Sequence, residues 1–268
     1  MKKIFLIPII VVLAAALVVS TIFISSYYSE SKKQKSEYDE IASLVKATNP
    51  TKEESDESET TTGKGNSIPF ATDDGTGDES ETLNYSDLSL LNEDTVGWIR
   101  IDGTAVNYPV VQSKSDPNYY IHHNFYKQES VYGCPFVQDN CDVNKPSDNV
   151  VIYGHHMNDG SMFAALSNYQ SYDYYTQHKY IQFDTLHENH KYEVVAAFNT
   201  KVGSGFRYYS FINASSEKDY NTFVSKCKSL SFYNTGANVN FGDKLLTLST
   251  CDNITNGGRI VVVAKRVS

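Results

Sequence analysis

The stretch KLLTLSTCDNITNGGRIVVVAKRV, residues 244–267, contains two runs of apolar and β-branched residues separated by a short polar segment. Such runs are typical of buried strands, and Gly257 and Gly258 permit the backbone angles of a tight connection. The stretch therefore predicts a hairpin. At its polar end a thiol, Cys251, is the last residue of one strand and a guanidinium, Arg259, opens the next.

Five further runs of this kind precede the hairpin, and Gly, Asn, Asp and Pro residues separate them. They are VGWIRI (96–101), AVNYPVVQ (105–112), NVVIYGHH (149–156), YIQFDTL (180–186) and YEVVAAFNT (192–200). Many short strands within one region of this size are typical of a closed sheet, here of about seven to eight strands. The sequence therefore predicts a mostly β domain, a closed β-barrel, over residues 83–268.

Two segments predict helices beside the barrel. The first is LNYSDLSLL at residues 83–91, which has an amphipathic pattern. The second lies in the long insertion before the cysteine strand, residues 204–240, where Phe223, Cys227 and Leu230 follow a helical spacing. We expect this helix to pack on the barrel, and we interpret Cys227 as a core residue.

Residues 1–28 predict a cytoplasmic tip and a transmembrane signal-anchor. Residues 4–24 are apolar except for Pro8, Ser20 and Thr21, and a helix of that length crosses a hydrocarbon core of about 30 Å. A cleaved signal peptide is the alternative, although its apolar region is usually only about 7–15 residues long. Lysines on both sides of the span leave its orientation open. Both interpretations export the remainder, so we expect an extracellular domain on a single-pass cell-membrane protein.

Residues 29–82 predict a flexible polar linker. The stretch is rich in Ser, Thr, Glu, Asp, Lys and Gly, and its only aromatic residues are Tyr38 and Phe70. Such a composition buries too little apolar area to offset the entropy of ordering. A helix over residues 38–46 is the one exception that the pattern allows.

The charge of the chain excludes one class of partner. Its formal net charge is -9, whereas nucleic-acid binding needs lysines and arginines clustered on one face. We therefore expect no nucleic acid among its partners. The hydrophobic fraction of 40% is ample for a packed domain.

The four cysteines are Cys134, Cys141, Cys227 and Cys251. Exported proteins form disulfides readily, but a domain of this size does not need them for stability. If Cys251 is a nucleophile, at most one bridge is possible. Cys134 and Cys141 are close in sequence, and a bridge between them and two free thiols both stay open.

A second polar strand end lies in NVVIYGHHMNDGSMF, residues 149–163, where His155 and His156 follow an apolar run. A thiol reacts as the thiolate, and a nearby imidazole lowers its pKa or carries its proton. An arginine keeps its charge and stabilises a developing oxyanion. Cys251, Arg259 and a histidine therefore form a coherent set for acyl transfer, although the residues alone do not distinguish the two histidines.

Two other interpretations compete with this one. Zinc binding uses histidines and cysteines, but adjacent histidines normally point apart and the chain has no CxxC or HxxxH run. His122 and His123, in an aromatic stretch, are predicted to be packing or surface residues. The second interpretation makes Cys251 a small buried hydrophobe and Arg259 a surface charge.

Three pieces of the sequence together resemble the signature of the sortases, and specifically of class B sortases. They are TLSTC at residues 247–251, Arg259 on the following strand, and YGHHMNDGSMF at residues 153–163. The resemblance covers roughly residues 83–268, and it extends to the layout of anchor, linker and catalytic domain. Cys134 and Cys141 match no part of the signature.

Carried over residue by residue, the resemblance implies that Cys251 is the nucleophile, His155 the proton donor and acceptor, and Arg259 the transition-state stabiliser or substrate clamp. It also implies that Ser249 and Asp252 help to hold the sorting peptide. It implies neither a required metal nor another cofactor.

The resemblance further implies a cysteine transpeptidase that cleaves a C-terminal sorting motif of secreted proteins after Thr and forms a thioester. The expected partners are surface proteins bearing that signal, a peptidoglycan cross-bridge or lipid-linked precursor that supplies the amine, and the membrane through the N-terminal helix. A secreted cysteine protease and a non-catalytic surface adhesin are the alternatives from other classes.

Overall fold

The apolar runs of the sequence form eight β-strands in the computed structural model, which describes residues 6–47, 87–251 and 257–268. The strands are β1 Thr95–Arg100, β2 Asn107–Val111, β3 Phe136–Val137, β4 Asn149–Tyr153, β5 Tyr180–Thr185, β6 Lys191–Lys201, β7 Leu245–Cys251 and β8 Gly258–Arg266. They close into a barrel in the order β1-β2-β3-β4-β7-β8-β6-β5, with β5 paired to β1. The prediction of a mostly β closed barrel is confirmed.

Two of the pairings are parallel, β2 with β3 and β4 with β7, and the other six are antiparallel. The hairpin predicted from the sequence is β7–β8, and six of the seven residues of β7 are buried. The short strand β3 was not predicted, because two residues cannot show a periodic pattern.

Four α-helices occur in the described part of the chain: α1 Leu6–Ala47, α2 Leu88–Leu91, α3 Tyr172–Gln177 and α4 Glu217–Leu230. The hydroxyl of Ser216 caps α4 by accepting a hydrogen bond from the amide of Asp219 at 3.2 Å. The buried residues of α4 are Tyr220, Phe223, Val224 and Cys227. The predicted insertion helix is therefore confirmed. Of the helix predicted over 83–91, the described part of the chain contains α2, and residues 83–86 lie outside the described ranges.

From Leu6 onward, the apolar N-terminal stretch forms the first half of α1. An 18-residue window near the start of this helix has a mean hydropathy of 2.0, and none of that window is buried in the protein. The helix is therefore long and apolar enough to cross a membrane, by length and composition. This finding is compatible with a single-pass membrane anchor.

The second half of α1 differs from the prediction of a flexible linker. Residues 29–47 continue the helix, and Gln34, Tyr38 and Ile41 of this part are buried against the barrel. The three residues recur at the spacing of one helix face. A composition average does not detect so few contacts, which is why the sequence predicted a linker. Residues 48–82, the remainder of that linker, lie outside the described ranges.

Docking of α1 onto the barrel predicts a measurable effect of Ile41→Ala. The Ile41 side chain is 0% exposed, and removing a buried aliphatic side chain of this size costs about 2–5 kcal/mol. We expect that loss in the free energy of unfolding, measured by urea titration of the full chain in detergent micelles. The exposed Ser36 on the same helix provides the control, Ser36→Ala. Equal stability of both variants and the wild type would contradict the docked arrangement.

Candidate active site

The ends of three neighbouring strands, β4, β7 and β8, bring the predicted catalytic residues together. Tyr153 at the end of β4 lies opposite Ser249 in the parallel pair, and Cys251 lies opposite Arg259 in the antiparallel pair. His155 follows Tyr153 by two residues, beyond the end of β4, and Cys251 follows Ser249 by two residues at the end of β7. Directly opposed side chains have Cβ atoms about 4.5–5.5 Å apart. Cys251 and Arg259 are therefore neighbours at the rim of the barrel, and His155 lines the same cleft from the segment after β4.

These three residues line a single cleft with a volume of about 420 Å³. His155, Cys251 and Arg259 are all partly exposed in it. The remaining walls include Ile121, Phe136, Gln138, Tyr153, Tyr208, Tyr209 and Ser249. The cleft thus combines a thiol, an imidazole and a guanidinium with a largely aromatic and amide surface.

A backbone carbonyl fixes the orientation of the His155 ring. Nε2 of His155 lies 2.7 Å from the carbonyl oxygen of Ile121. A carbonyl oxygen only accepts hydrogen bonds, so Nε2 carries the proton and donates. Nδ1 is then the nitrogen available for proton exchange in the cleft. The ring also lies against Gly133, where a Cβ atom would approach a carbon of the imidazole to 3.1 Å.

His156 has a different environment from its neighbour. Its Nδ1 lies 3.1 Å from the backbone carbonyl oxygen of Cys251 and 3.1 Å from the hydroxyl of Ser167. His156 is not among the residues that line the cleft. The structure therefore separates the two histidines, which the residue pattern alone had left equivalent. His155 faces the cleft, and His156 contacts the backbone of the strand that carries the thiol.

Burial distinguishes Cys251 from the other thiols. Burial raises the pKa of Cys134 to about 12 and that of Cys141 to about 11, and it also raises the pKa of the Cys227 thiol. These three thiols are therefore protonated at neutral pH. Cys251 is the partly exposed cysteine and all four are free.

No disulfide joins Cys134 and Cys141. Their thiols form separate hydrogen bonds, from Cys134 to the carbonyl of Pro109 at 3.7 Å and from Cys141 to the carbonyl of Asn149 at 3.6 Å. Of the two possibilities that the sequence left open, free thiols are the one observed.

Of the two residues predicted to hold a peptide, Ser249 and Asp252, the structure describes only Ser249. Ser249 lies in the cleft wall, but it is buried and its hydroxyl is 2.6 Å from the hydroxyl of Tyr208. Burial raises the pKa of that tyrosine, so its phenol stays neutral. Ser249 thus anchors an aromatic wall of the cleft. Asp252 lies outside the described residues.

Several groups of this site were not predicted from the sequence. The carbonyl of Ile121 and Gly133 behind the imidazole come from one segment before β3, and Tyr208 beside Ser249 comes from the insertion before β7. A backbone carbonyl carries no residue-type signal. Only the crowding of tyrosines in the insertion, YYS at residues 208–210, could have indicated an aromatic wall.

The contacts of His123 agree with the packing role predicted for His122 and His123. The ring of His123 stacks on Tyr119 with centroids 3.9 Å apart, and its Nδ1 lies 2.8 Å from the carbonyl of the same tyrosine. Within residues 6–47, 87–251 and 257–268, no three His, Cys, Asp or Glu side chains cluster as a metal site requires.

A thiol at a strand end, an imidazole oriented through its Nε2 proton and an arginine on the adjacent strand define the class. The barrel carries the groups of a cysteine acyl-transfer enzyme.

Comparison with known proteins agrees with this class. The Sortase domain profile matches residues 99–267. Sortase B of Staphylococcus aureus is 33% identical over 183 residues, and sortase B of Listeria monocytogenes is 36% identical over 185 residues; each alignment covers 68% of this chain and 73% of the relative. The solved structure of the S. aureus sortase B–substrate complex matches this chain with a TM-score of 0.64 and 33% identity. The match covers 69% of this chain and 84% of the chain in that structure.

The chain therefore belongs to the sortase family, within class B. Its activity is that of a cysteine transpeptidase of the cell wall.

The contrast between the thiols predicts selective alkylation. At pH 7.5, iodoacetamide should modify the native chain once, at Cys251, because burial keeps the other three thiols protonated and inaccessible. Mass spectrometry of the intact protein gives the number of adducts. Cys251→Ser should take none, Cys227→Ser should still take one, and the unfolded wild type should take four, one per cysteine. A fast adduct on Cys134 or Cys141 would contradict the assignment.

Proposed function

We propose that Cys251 attacks the carbonyl carbon of a Thr in a C-terminal sorting signal and becomes acylated. The observation that carries this proposal is that His155, Cys251 and Arg259 line one cleft, in which Cys251 of β7 lies opposite Arg259 of β8. The S. aureus sortase B solved as a substrate complex supports substrate binding by this chain.

In the first half-reaction, a bond forms between Sγ of Cys251 and the threonine carbonyl carbon, and the peptide C–N bond breaks. Nδ1 of His155 takes the proton of the Cys251 thiol as Sγ attacks and then gives it to the departing amine, since Nε2 keeps its hydrogen bond to Ile121. The products are a thioester on the enzyme and the released C-terminal fragment.

Arg259 stabilises the negative charge that develops on the carbonyl oxygen during attack. One of its guanidinium nitrogens, Nη1, donates a hydrogen bond to the carbonyl of Gly258 at 2.9 Å. This bond holds the side chain at the rim, and the guanidinium has further N–H groups for an oxyanion. Its charge persists through the cycle, whereas a histidine would lose or gain a proton.

In the second half-reaction an acceptor amine attacks the thioester carbon. His155 takes the proton of that amine at Nδ1, an amide bond forms, and Cys251 leaves as the thiolate. We propose a peptidoglycan cross-bridge or its lipid-linked precursor as the acceptor. A related sortase B has been solved in complex with triglycine, which supports an acceptor with a glycine amine.

The catalytic domain acts outside the cell, at the surface of the membrane that residues 1–28 cross. The exposed apolar first half of α1 supports this arrangement. Anchoring confines the enzyme to the layer in which secreted proteins and lipid-linked precursors meet, and so raises their effective concentration. The catalytic domain comprises residues 83–268 in this proposal.

The proposal predicts amine-dependent ligation. We would incubate the full chain in detergent micelles with a library of peptides that have Thr at the fourth position, with and without triglycine. Mass spectrometry should detect a thioester on Cys251 and, with triglycine, more ligated than hydrolysed product. Cys251→Ala should form neither. Hydrolysis that is unchanged by the amine would instead indicate a cysteine protease, and the absence of any processing by the wild type would favour an adhesin.

The two histidines should differ in their effect on turnover. His155→Ala removes the proton carrier and should lower kcat/KM by about 10²–10⁴-fold. His156→Ala is the matched control, and the loss of its hydrogen bond to the Cys251 carbonyl should cost less than about tenfold. Both are measured with the peptide and triglycine. A larger loss in His156→Ala would reverse the assignment.

A further inference from the structure

The second half of α1 makes polar contacts with the segment that precedes β3, residues 120–134. The hydroxyl of Tyr38 donates a hydrogen bond to the carbonyl of Gly133 at 3.0 Å. One turn earlier, the side-chain carbonyl of Gln34 accepts a hydrogen bond from the hydroxyl of Ser130 at 2.8 Å. Tyr38 and Gln34 are both buried, at 4% and 3% exposure. The helix is therefore joined to this segment through buried groups.

The same segment orients the catalytic-site histidine. Its first residues include Ile121, whose carbonyl accepts the Nε2 proton of His155, and its last include Gly133, which lies against the imidazole ring. The two ends of the segment are tied together, because the amide of Cys134 donates to the carbonyl of Tyr120 at 3.0 Å. A displacement of Gly133 would therefore move both supports of the ring.

The conformation of Gly133 makes this contact sensitive. Its φ angle is +59°, in the left-handed region, and a Cβ atom at this position would collide with the backbone carbonyls of Tyr120 and Ile121. The backbone here is tightly packed against its neighbours. The Tyr38 hydroxyl satisfies the carbonyl of this glycine, so it helps to hold the backbone in place.

Helix α1 also contacts the loop on the other side of His155. The hydroxyls of Ser31 and Tyr132 both donate to the carboxylate of Asp159, at 2.7 and 2.8 Å. Burial alone would raise the pKa of the Asp159 carboxyl. Hydrogen bonds from Ser161, Ser31 and Tyr132 have the larger effect and hold this pKa below its ordinary value. The carboxylate is therefore charged at neutral pH, and it joins the helix to the loop that follows the histidine.

We propose that Tyr38 is a positioning residue for His155, and that the second half of α1 thereby helps to set the geometry of the active site. The inference rests on the proposed role of His155 in proton transfer. Tyr38 touches no reacting atom. It acts through Gly133, and it keeps the Nε2 proton of the histidine on the Ile121 carbonyl so that Nδ1 is left for proton exchange.

Tyr38→Phe tests the inference with a minimal change. The variant retains the ring, which packs edge-on against Tyr108 with centroids 5.1 Å apart, and removes only the hydroxyl. We expect kcat to fall by about fivefold to tenfold, as for the loss of one buried hydrogen bond, and KM to stay within about twofold. Tyr28→Phe on the same helix is the matched control, since Tyr28 is 69% exposed, and it should leave kcat unchanged.

A spectroscopic measurement separates positioning from mere stabilisation. In the full chain in detergent micelles, labelled on its histidines, the Nε2 proton signal of His155 is identified by its loss in His155→Gln. In Tyr38→Phe this signal should shift and exchange with water faster, below the temperature at which either protein unfolds. An unchanged signal together with an unchanged kcat would overturn the inference, even if the melting temperature fell. Full activity of His155→Gln would refute the proposed proton carrier, whereas the response of the signal to Tyr38→Phe would still report on positioning.

Discussion

The parallel pairing of β4 with β7 is the constraint on which the rest of the site depends. Cys251 is the last residue of β7 and His155 follows the end of β4 by two residues, so this pairing brings the strand ends that carry both groups to one cleft. In a sheet, a slip by one residue turns every side chain to the opposite face. The hydrophobic runs in the two strands fix the register, because a slip would move buried residues such as Val151 and Leu248. The core packing that fixes this register therefore also fixes the positions of the strand ends that carry the thiol and the imidazole.

The chemistry of the site depends on selective burial. Four cysteines share one domain, and three of them are removed from reaction by the core in which they are packed. The fourth is at the end of its strand, where the barrel opens into the cleft. The same packing that stabilises the domain therefore also protects it from oxidation or alkylation at unwanted positions, without any disulfide.

Much of this architecture could be predicted from the sequence, and what was missed has physical causes. Seven strands, the closed barrel and the insertion helix have strong local patterns, and the β7–β8 hairpin follows directly from its apolar runs and glycines. His155 could not be separated from His156 by residue type, since the difference lies in which carbonyl each ring meets. The docking of α1 was missed because it depends on Gln34, Tyr38 and Ile41 within an otherwise polar stretch. Long-range contacts of this kind have no signature in local composition.

The continuity of α1 sets a distance. From Ile24, the last residue of the apolar stretch, to Tyr38 the helix rises about 21 Å at roughly 1.5 Å per residue. The chain between Ala47 and Asp87 comes after this contact, so its length has no influence on the separation. In the membrane-anchored arrangement proposed above, the continuous helix therefore holds the cleft at a set height above the membrane. Such an enzyme would select its two substrates partly by their distance from the bilayer. The scissile bond of one substrate and the acceptor amine of the other must both reach the height of the cleft.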